Sequence, residues 1–228
     1  MHRPTFSIAE PVRALGVRGA FALLTGLDNV AVDSQALAAW RDSLVTQLRA
    51  ELTPELLTGD PVLAGFRELH DTVGRSNKRF PSSAEALVGL FLRKRLVPAI
   101  NPLVDIYNGV SLTTRLSLGA HDLAQVQGDI ELRFTAGTER FVRLGATTPE
   151  PISPGEYCYL DGSGDVLCRL EHRQCERTKV TTATTDCFYI LQGNAATSRE
   201  LIEATLARLV ELTHRFCGGR LETAWIVA

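Results

Sequence analysis

The sequence predicts an α+β protein in which mainly antiparallel sheets pack against helices. Three observations carry that assignment. The first half is dominated by apolar residues at helical spacing, ending in the segment from Asn101 to Ser111. From Asp129 to Leu191 it gives way to short runs of strand composition separated by turn signals, so helices and strands segregate instead of alternating strictly. No linker rich in Pro, Gly or Ser intervenes, and a single unit over residues 1–228 is expected, with an N-terminal strand and helix part (1–74) and a core module (75–228).

Val17 to Leu24 is a continuous apolar and β-branched run closed by Thr25-Gly26-Leu27-Asp28-Asn29, which reads as a buried strand and a turn. Ser34 is then expected to cap a helix to about Leu52, with Leu37, Trp40, Leu44 and Leu48 on one face. Pro61 opens another, with Val62, Phe66, Leu69 and Val73 inward and Gly74 as its stop. Ser82 or Ser83 caps the next, with Ala86, Leu87, Leu90 and Phe91 inward and Arg93-Lys94-Arg95 at its end. Asn101 caps, and Pro102 begins, a short central helix. Leu103, Ile106 and Val110 form its apolar stripe, and Asp105, Asn108 and Ser111 a polar one. Strands are expected over 129–134, 141–144, 156–160, 166–169 and 188–191. A long helix then runs from Ser198 to Cys217-Gly218, and a closing strand covers 223–227.

Composition excludes several classes. Of the 228 residues 45% are hydrophobic, as in an ordinary globular protein, and a net charge of −2 excludes a general nucleic-acid coating protein. No run of about 18 apolar residues is present, so no membrane span is expected. Met1-His2-Arg3-Pro4 opens without the apolar core of an export signal, and five cysteines are an odd number, so a cytoplasmic protein with free thiols is expected. Cys158, Cys168 and Cys175 lack the short paired spacing of a zinc knuckle, and no metal site is assigned. Nucleophile elbow, phosphate loop and dinucleotide fingerprint are likewise missing, and no cofactor is assigned.

Two features remain that can carry chemistry. Arg75, Lys78, Arg79, Arg93, Lys94 and Arg95 concentrate positive charge against a lone Glu85. They read either as cations matched to a helix C-terminus or as a phosphate-contacting patch. Among the histidines, His70 and His214 sit on helical patterns and are expected to pack or face water. His121 instead follows Gly119-Ala120 in an extended segment, where a neutral imidazole can position a water or a hydroxyl.

Taken in order, the stretch from Lys78 to Leu87, Asn101 to Asn108, Gly119 to Leu123, Gly128 to Phe134 and Glu176 to Thr181 resembles the editing module of the phenylalanyl-tRNA synthetase β subunit. That module comprises the subunit's third and fourth domains. The resemblance is closer still to free-standing proteins made of that module alone, and it is strongest from about Gly74 to Gly193. It implies a trans-editing hydrolase that removes a mischarged amino acid from the tRNA 3′ end, or alternatively a non-catalytic module binding tRNA, an amino acid or a partner. Its implied partners are the aminoacylated tRNA 3′ end and an aminoacyl-tRNA synthetase, with the basic run reaching the tRNA.

The family's pocket uses an Asn from a Thr-Asn pair, a His further on and a Glu closing a later strand. In this sequence the Asn is Asn108, preceded by Tyr107; the His position falls on Gly119, and the Glu position on Ile190 or Gln192. His121 is two residues from Gly119, hence on the same face of an extended segment, and can substitute. The resemblance thus implies Asn108, His121 and Glu176 as catalytic residues, with Asn108 and His121 facing one cavity. Glu176 would orient water or the α-amino group, and Lys179 would meet a phosphate or the developing oxyanion. Asp105, Ser111, Gly119, Asp122, Lys179 and Gln192 are implied in substrate binding.

Overall fold

In the computed structural model, which describes residues 4–30 and 33–227, the chain builds two sheets and the helices that cover them. Met1, His2 and Arg3, part of the segment expected to lack an export signal, lie outside the described residues. The element order is β1 (Phe6–Ile8), α1 (Glu10–Arg13), β2 (Arg18–Leu27), α2 (Ser34–Glu51), α3 (Pro54–Gly59), α4 (Pro61–Thr72), α5 (Ser83–Lys94), α6 (Pro102–Thr114), β3 (Ser117–Asp122), β4 (Ile130–Phe134), β5 (Tyr157–Leu160), β6 (Val166–Arg169), β7 (Arg173–Gln174), β8 (Cys187–Gly193), α7 (Arg199–Cys217) and β9 (Gly218–Val227). A 3₁₀ turn over Leu123–Gln125 follows β3. Among the described residues no helix is long and apolar enough to cross a membrane.

The four-stranded sheet runs β3-β8-β2-β9 and is antiparallel throughout; the five-stranded sheet runs β1-β4-β5-β6-β7, with β1 and β4 parallel and the rest antiparallel. β8 is buried along its whole length, which is why its sequence reads as an uninterrupted apolar run instead of an alternating one. Aromatic rings join the two sheets: Phe6 of β1 stacks on Phe21 of β2 at 3.9 Å between centroids, and Tyr159 of β5 lies 6.0 Å from Phe21. One hydrophobic core takes residues from both the N-terminal part and the rest of the chain.

α6 sits at the centre of this arrangement. Asn101 caps it by accepting from the Val104 N–H at 3.1 Å, and buried Asn29 reinforces the cap by accepting from the Leu103 N–H at 2.9 Å. Packing with α7, β3 and α2 buries most of α6, including Asp105 and Ser111 of the stripe expected to be polar, while Asn108 stays half-buried. Gly109 makes the approach of α2 possible: a Cβ there would fall 2.6 Å from a Trp40 ring carbon and 2.7 Å from a Leu44 methyl.

Several expectations need correction. Asp33, not Ser34, caps α2, its carboxylate accepting from the Ala36 N–H; Ser34 is already helical. Of the residues expected inward on α5, Phe91 is buried but Leu87 and Leu90 are half-buried and Ala86 is exposed, since that side borders an open cavity. Ala84 and Val88 share the burial with Phe91. Residues 141–144 form no strand, only the isolated bridges Phe141 to Glu150 and Arg143 to Cys175. β9 begins at Gly218, earlier than expected, because Gly218 at φ 64° lets the chain turn straight from α7 into the sheet. α1, α3, β1 and β7 were too short to leave a periodic signal.

Candidate functional site

A cavity of about 360 Å³ opens between α5, α6, β3 and the segment from 168 to 174. Local chemistry fixes each wall. Ser82 caps α5 by accepting from the Glu85 N–H, and the Ser83 N–H donates to the Glu171 carbonyl at 2.9 Å, tying the start of α5 to the turn opposite. That turn is made by Leu170, held at φ 51°, so Glu171, His172, Arg173 and Gln174 are presented in sequence. α5 contributes Leu87 and Leu90, α6 contributes Tyr107 and Asn108, and β3 contributes Ser117, Gly119 and His121 on alternate positions.

His121 is buried, and its Nδ1 lies 2.7 Å from the Thr178 hydroxyl oxygen and 3.3 Å from the Gln174 amide nitrogen. Cys175 Sγ stands behind Thr178, 3.0 Å from the same oxygen. Burial, reinforced by the nearby Arg177 guanidinium and opposed by Asp161, pushes the imidazole down to about 3, so His121 is neutral across the physiological range. No protein group bonds its Nε2 among the described residues. His172 is half-buried and places its Nδ1 2.7 Å from the Pro81 carbonyl, with the Phe80 ring edge-on. Burial first, then Arg173 and His70, holds His172 below the usual histidine range against the raising effect of Pro81 and Glu171.

Behind the cavity wall lies a buried polar cluster. Glu171 pairs with His70 at 2.5 Å, and accepts from the Tyr157 hydroxyl at 2.6 Å and the Gln192 amide at 3.0 Å. Tyr159, which lines the cavity, donates to Gln192 Oε1 at 2.6 Å. Burial opposes charge on His70, but Glu171 outweighs it and raises the imidazole above the ordinary range. His70 is therefore more than the passive helix residue that its position in the sequence suggested: it is buried against a carboxylate that favours its charged form.

Asn108, Gly119 and His121 thus line one cavity, while the other residues implied by the resemblance lie elsewhere. Glu176 borders a second cavity with Arg140, Asp165 and Arg177; its carboxylate accepts from the Gly145 N–H and pairs with Lys179, so both charges are engaged away from Asn108. Asp105 is buried, accepting from the Ile100 N–H at 2.8 Å and from Arg41 at 2.7 Å. The Ser111 hydroxyl donates to the Leu116 carbonyl, and Asp122 accepts from the Ala124 N–H and the Thr184 hydroxyl. Gln192 stands one hydrogen bond behind the wall. Lys78, Arg79, Arg93, Lys94 and Arg95 are exposed, whereas Arg75 is tied to buried Glu156 at 2.6 Å.

The run Glu171-His172-Arg173-Gln174 also lines the cavity, and no motif in the sequence singles it out. Four consecutive polar residues between strand-like runs were the available signal. The five cysteines are free thiols, and no group of three or more His, Cys, Asp or Glu among the described residues is arranged to hold a metal ion.

Fold and cavity together define an α+β domain with a half-apolar pocket whose polar groups are mostly neutral. The sequence matches the B3/4 domain family over residues 67–218, well over half the chain, and the protein belongs to that family. Among solved structures it is similar to an N-terminal fragment of the phenylalanyl-tRNA synthetase β subunit from Pyrococcus horikoshii. The TM-score is 0.52 at 14% identity, covering 97% of this chain and 51% of that one. That likeness establishes the fold, and this chain spans about half the length of the fragment. No curated protein matches the sequence.

Proposed function

We propose that this protein is a free-standing editing domain that hydrolyses the ester of a mischarged aminoacyl-tRNA. The observation that carries the reading is the convergence of Asn108, Gly119 and His121 on one cavity with apolar walls, in a chain of the B3/4 family. Leu87, Leu90, Leu118 and Ile190 offer apolar surface to an amino-acid side chain, while Asn108, Ser117 and His121 offer hydrogen bonds to the ester and its water. An activated ester needs a positioned water more than a strong base. Exposed Arg173 at the rim makes no ion pair among the described residues and suits a terminal phosphate; Lys78, Arg79 and Arg93 to Arg95 suit phosphates further along the tRNA. Such a substrate implies a cytoplasmic protein acting alongside an aminoacyl-tRNA synthetase.

The test is release of amino acid from a panel of mischarged tRNAs. One or more should be deacylated well above the spontaneous rate, with Asn108→Ala losing about 10²-fold, the size of effect ascribed to a single positioned donor or acceptor. A second reading, a binding module without catalysis, is favoured by the position of Glu176 on the other cavity. It predicts binding of aminoacyl-tRNA with no acceleration.

A further inference from the structure

We propose that two histidines on the cavity are held in opposite tautomers, His172 as the general base and His121 as the donor to the developing oxyanion. The proposal rests on the ester-hydrolysis reading above.

The tautomers follow from the partners. A carbonyl oxygen only accepts, so Nδ1 of His172, 2.7 Å from the Pro81 carbonyl, must carry the proton. Nε2 of His172 is then a lone pair, and the ring lines the cavity. His121 is fixed the other way. The Gln174 amide nitrogen donates to the Ala120 carbonyl, which identifies it as the NH₂ group; its second hydrogen faces His121 Nδ1 at 3.3 Å. A protonated Nδ1 would meet that N–H head-on. Nδ1 is therefore the acceptor, the Thr178 hydroxyl donates to it, and the Cys175 thiol donates to Thr178 in turn. The proton of His121 is left on Nε2.

These states divide the chemistry. A water in the cavity gives a proton to His172 Nε2 as its oxygen bonds to the ester carbonyl carbon. The carbonyl oxygen becomes an oxyanion and accepts a hydrogen bond from His121 Nε2–H, which keeps its proton. When the tetrahedral carbon collapses, its bond to the ribose oxygen breaks and His172 returns the proton to that oxygen. Free amino acid and a tRNA hydroxyl result, with His172 neutral again. Thr178 and Gln174 act only through His121 and are positioning residues. A nitrogen pulled down to about 3 is too weak a base for this task, which matches the donor role of His121.

The test has two arms. Long-range proton–nitrogen correlation spectra of protein labelled with ¹⁵N-histidine should show His121 protonated on Nε2 and His172 on Nδ1 near neutral pH. Thr178→Val should mix the His121 tautomers and Thr178→Ser should not. A common tautomer for the two rings overturns the proposal whatever the activity. In deacylation, His172→Asn keeps an N–H for Pro81 but has no basic nitrogen in place of Nε2, and should lower kcat by about 10²-fold or more with KM little changed. Added imidazole should restore part of the activity of His172→Ala. If wild-type protein deacylates and His172→Asn is equally active, the base assignment falls while the hydrolysis reading stands. If wild-type protein deacylates no tRNA, the hydrolysis reading falls and takes the catalytic roles with it.

Discussion

Acidification should destabilise the protein through His121, and replacing that residue should remove a calculable part of the effect. Burial pushes the folded imidazole down to about 3, against 6.5 for an ordinary histidine. Between these values the unfolded chain binds more protons than the folded one, so stability falls as pH falls. One pH unit across this window is worth about 1.36 kcal/mol. Moving from about pH 7 to about pH 5 therefore costs roughly 2 kcal/mol from this residue alone. His172, also held low, adds loss in the same direction; His70, held high, opposes it, because its contribution is full at low pH and fades as pH rises through its folded value. Both are common to wild type and His121→Gln, so they cancel in the difference. Urea unfolding of the two proteins at each pH should show wild type losing about 2 kcal/mol more than the variant on acidification. Equal losses, within about 0.5 kcal/mol, would mean that the imidazole is not held neutral and would refute the burial argument.

Removing one partner of a buried ion pair strands the other, so Glu171→Ala, which orphans His70, should cost about 3–5 kcal/mol by denaturant unfolding. Gly109→Ala puts a methyl against Trp40 and Leu44 and should lower stability by about 1–3 kcal/mol, read as a fall in Tm, with no new activity. The exposed basic end of α5 should govern tRNA affinity. Arg93→Ala and Lys94→Ala combined with Arg95→Gly, glycine because Arg95 sits at φ 56°, should flatten the log–log salt dependence by about 2 to 3 for three phosphates lost. An unchanged slope would reduce those cations to a complement of the helix dipole.

Much of this fold was legible in the sequence. Periodicity located α2, α4, α5, α6 and α7, with Pro61 marking the start of α4, and Ser82, Asn101 and Ser198 were readable as caps because each satisfies a backbone donor at the start of its helix. The site was legible only in part. Asn108 and His121 were found through their neighbours, but one helical face cannot reveal what packs on it. Asp105 and Ser111 share the stripe of Asn108, yet Arg41 and the Leu116 carbonyl close over them. The pairing of His70 with Glu171 joins α4 to the turn after β6, a contact that periodicity does not encode. His172 was hidden for a similar reason: its role depends on the Pro81 carbonyl, supplied by the approach to α5.

The central claim is that the aminoacyl end binds in the cavity bordered by Asn108, His121 and His172. It is tested most directly with a 3′-aminoacylamino-3′-deoxyadenosine, whose amide resists hydrolysis, titrated against isotope-labelled protein. The account predicts saturable shifts confined to Asn108, the β3 residues from Ser117 to His121 and the turn from Glu171 to Gln174. The His121 Nε2 proton should move most on binding. Shifts centred on the cavity beside Glu176 and Arg177, or none at all at millimolar analogue, would contradict it.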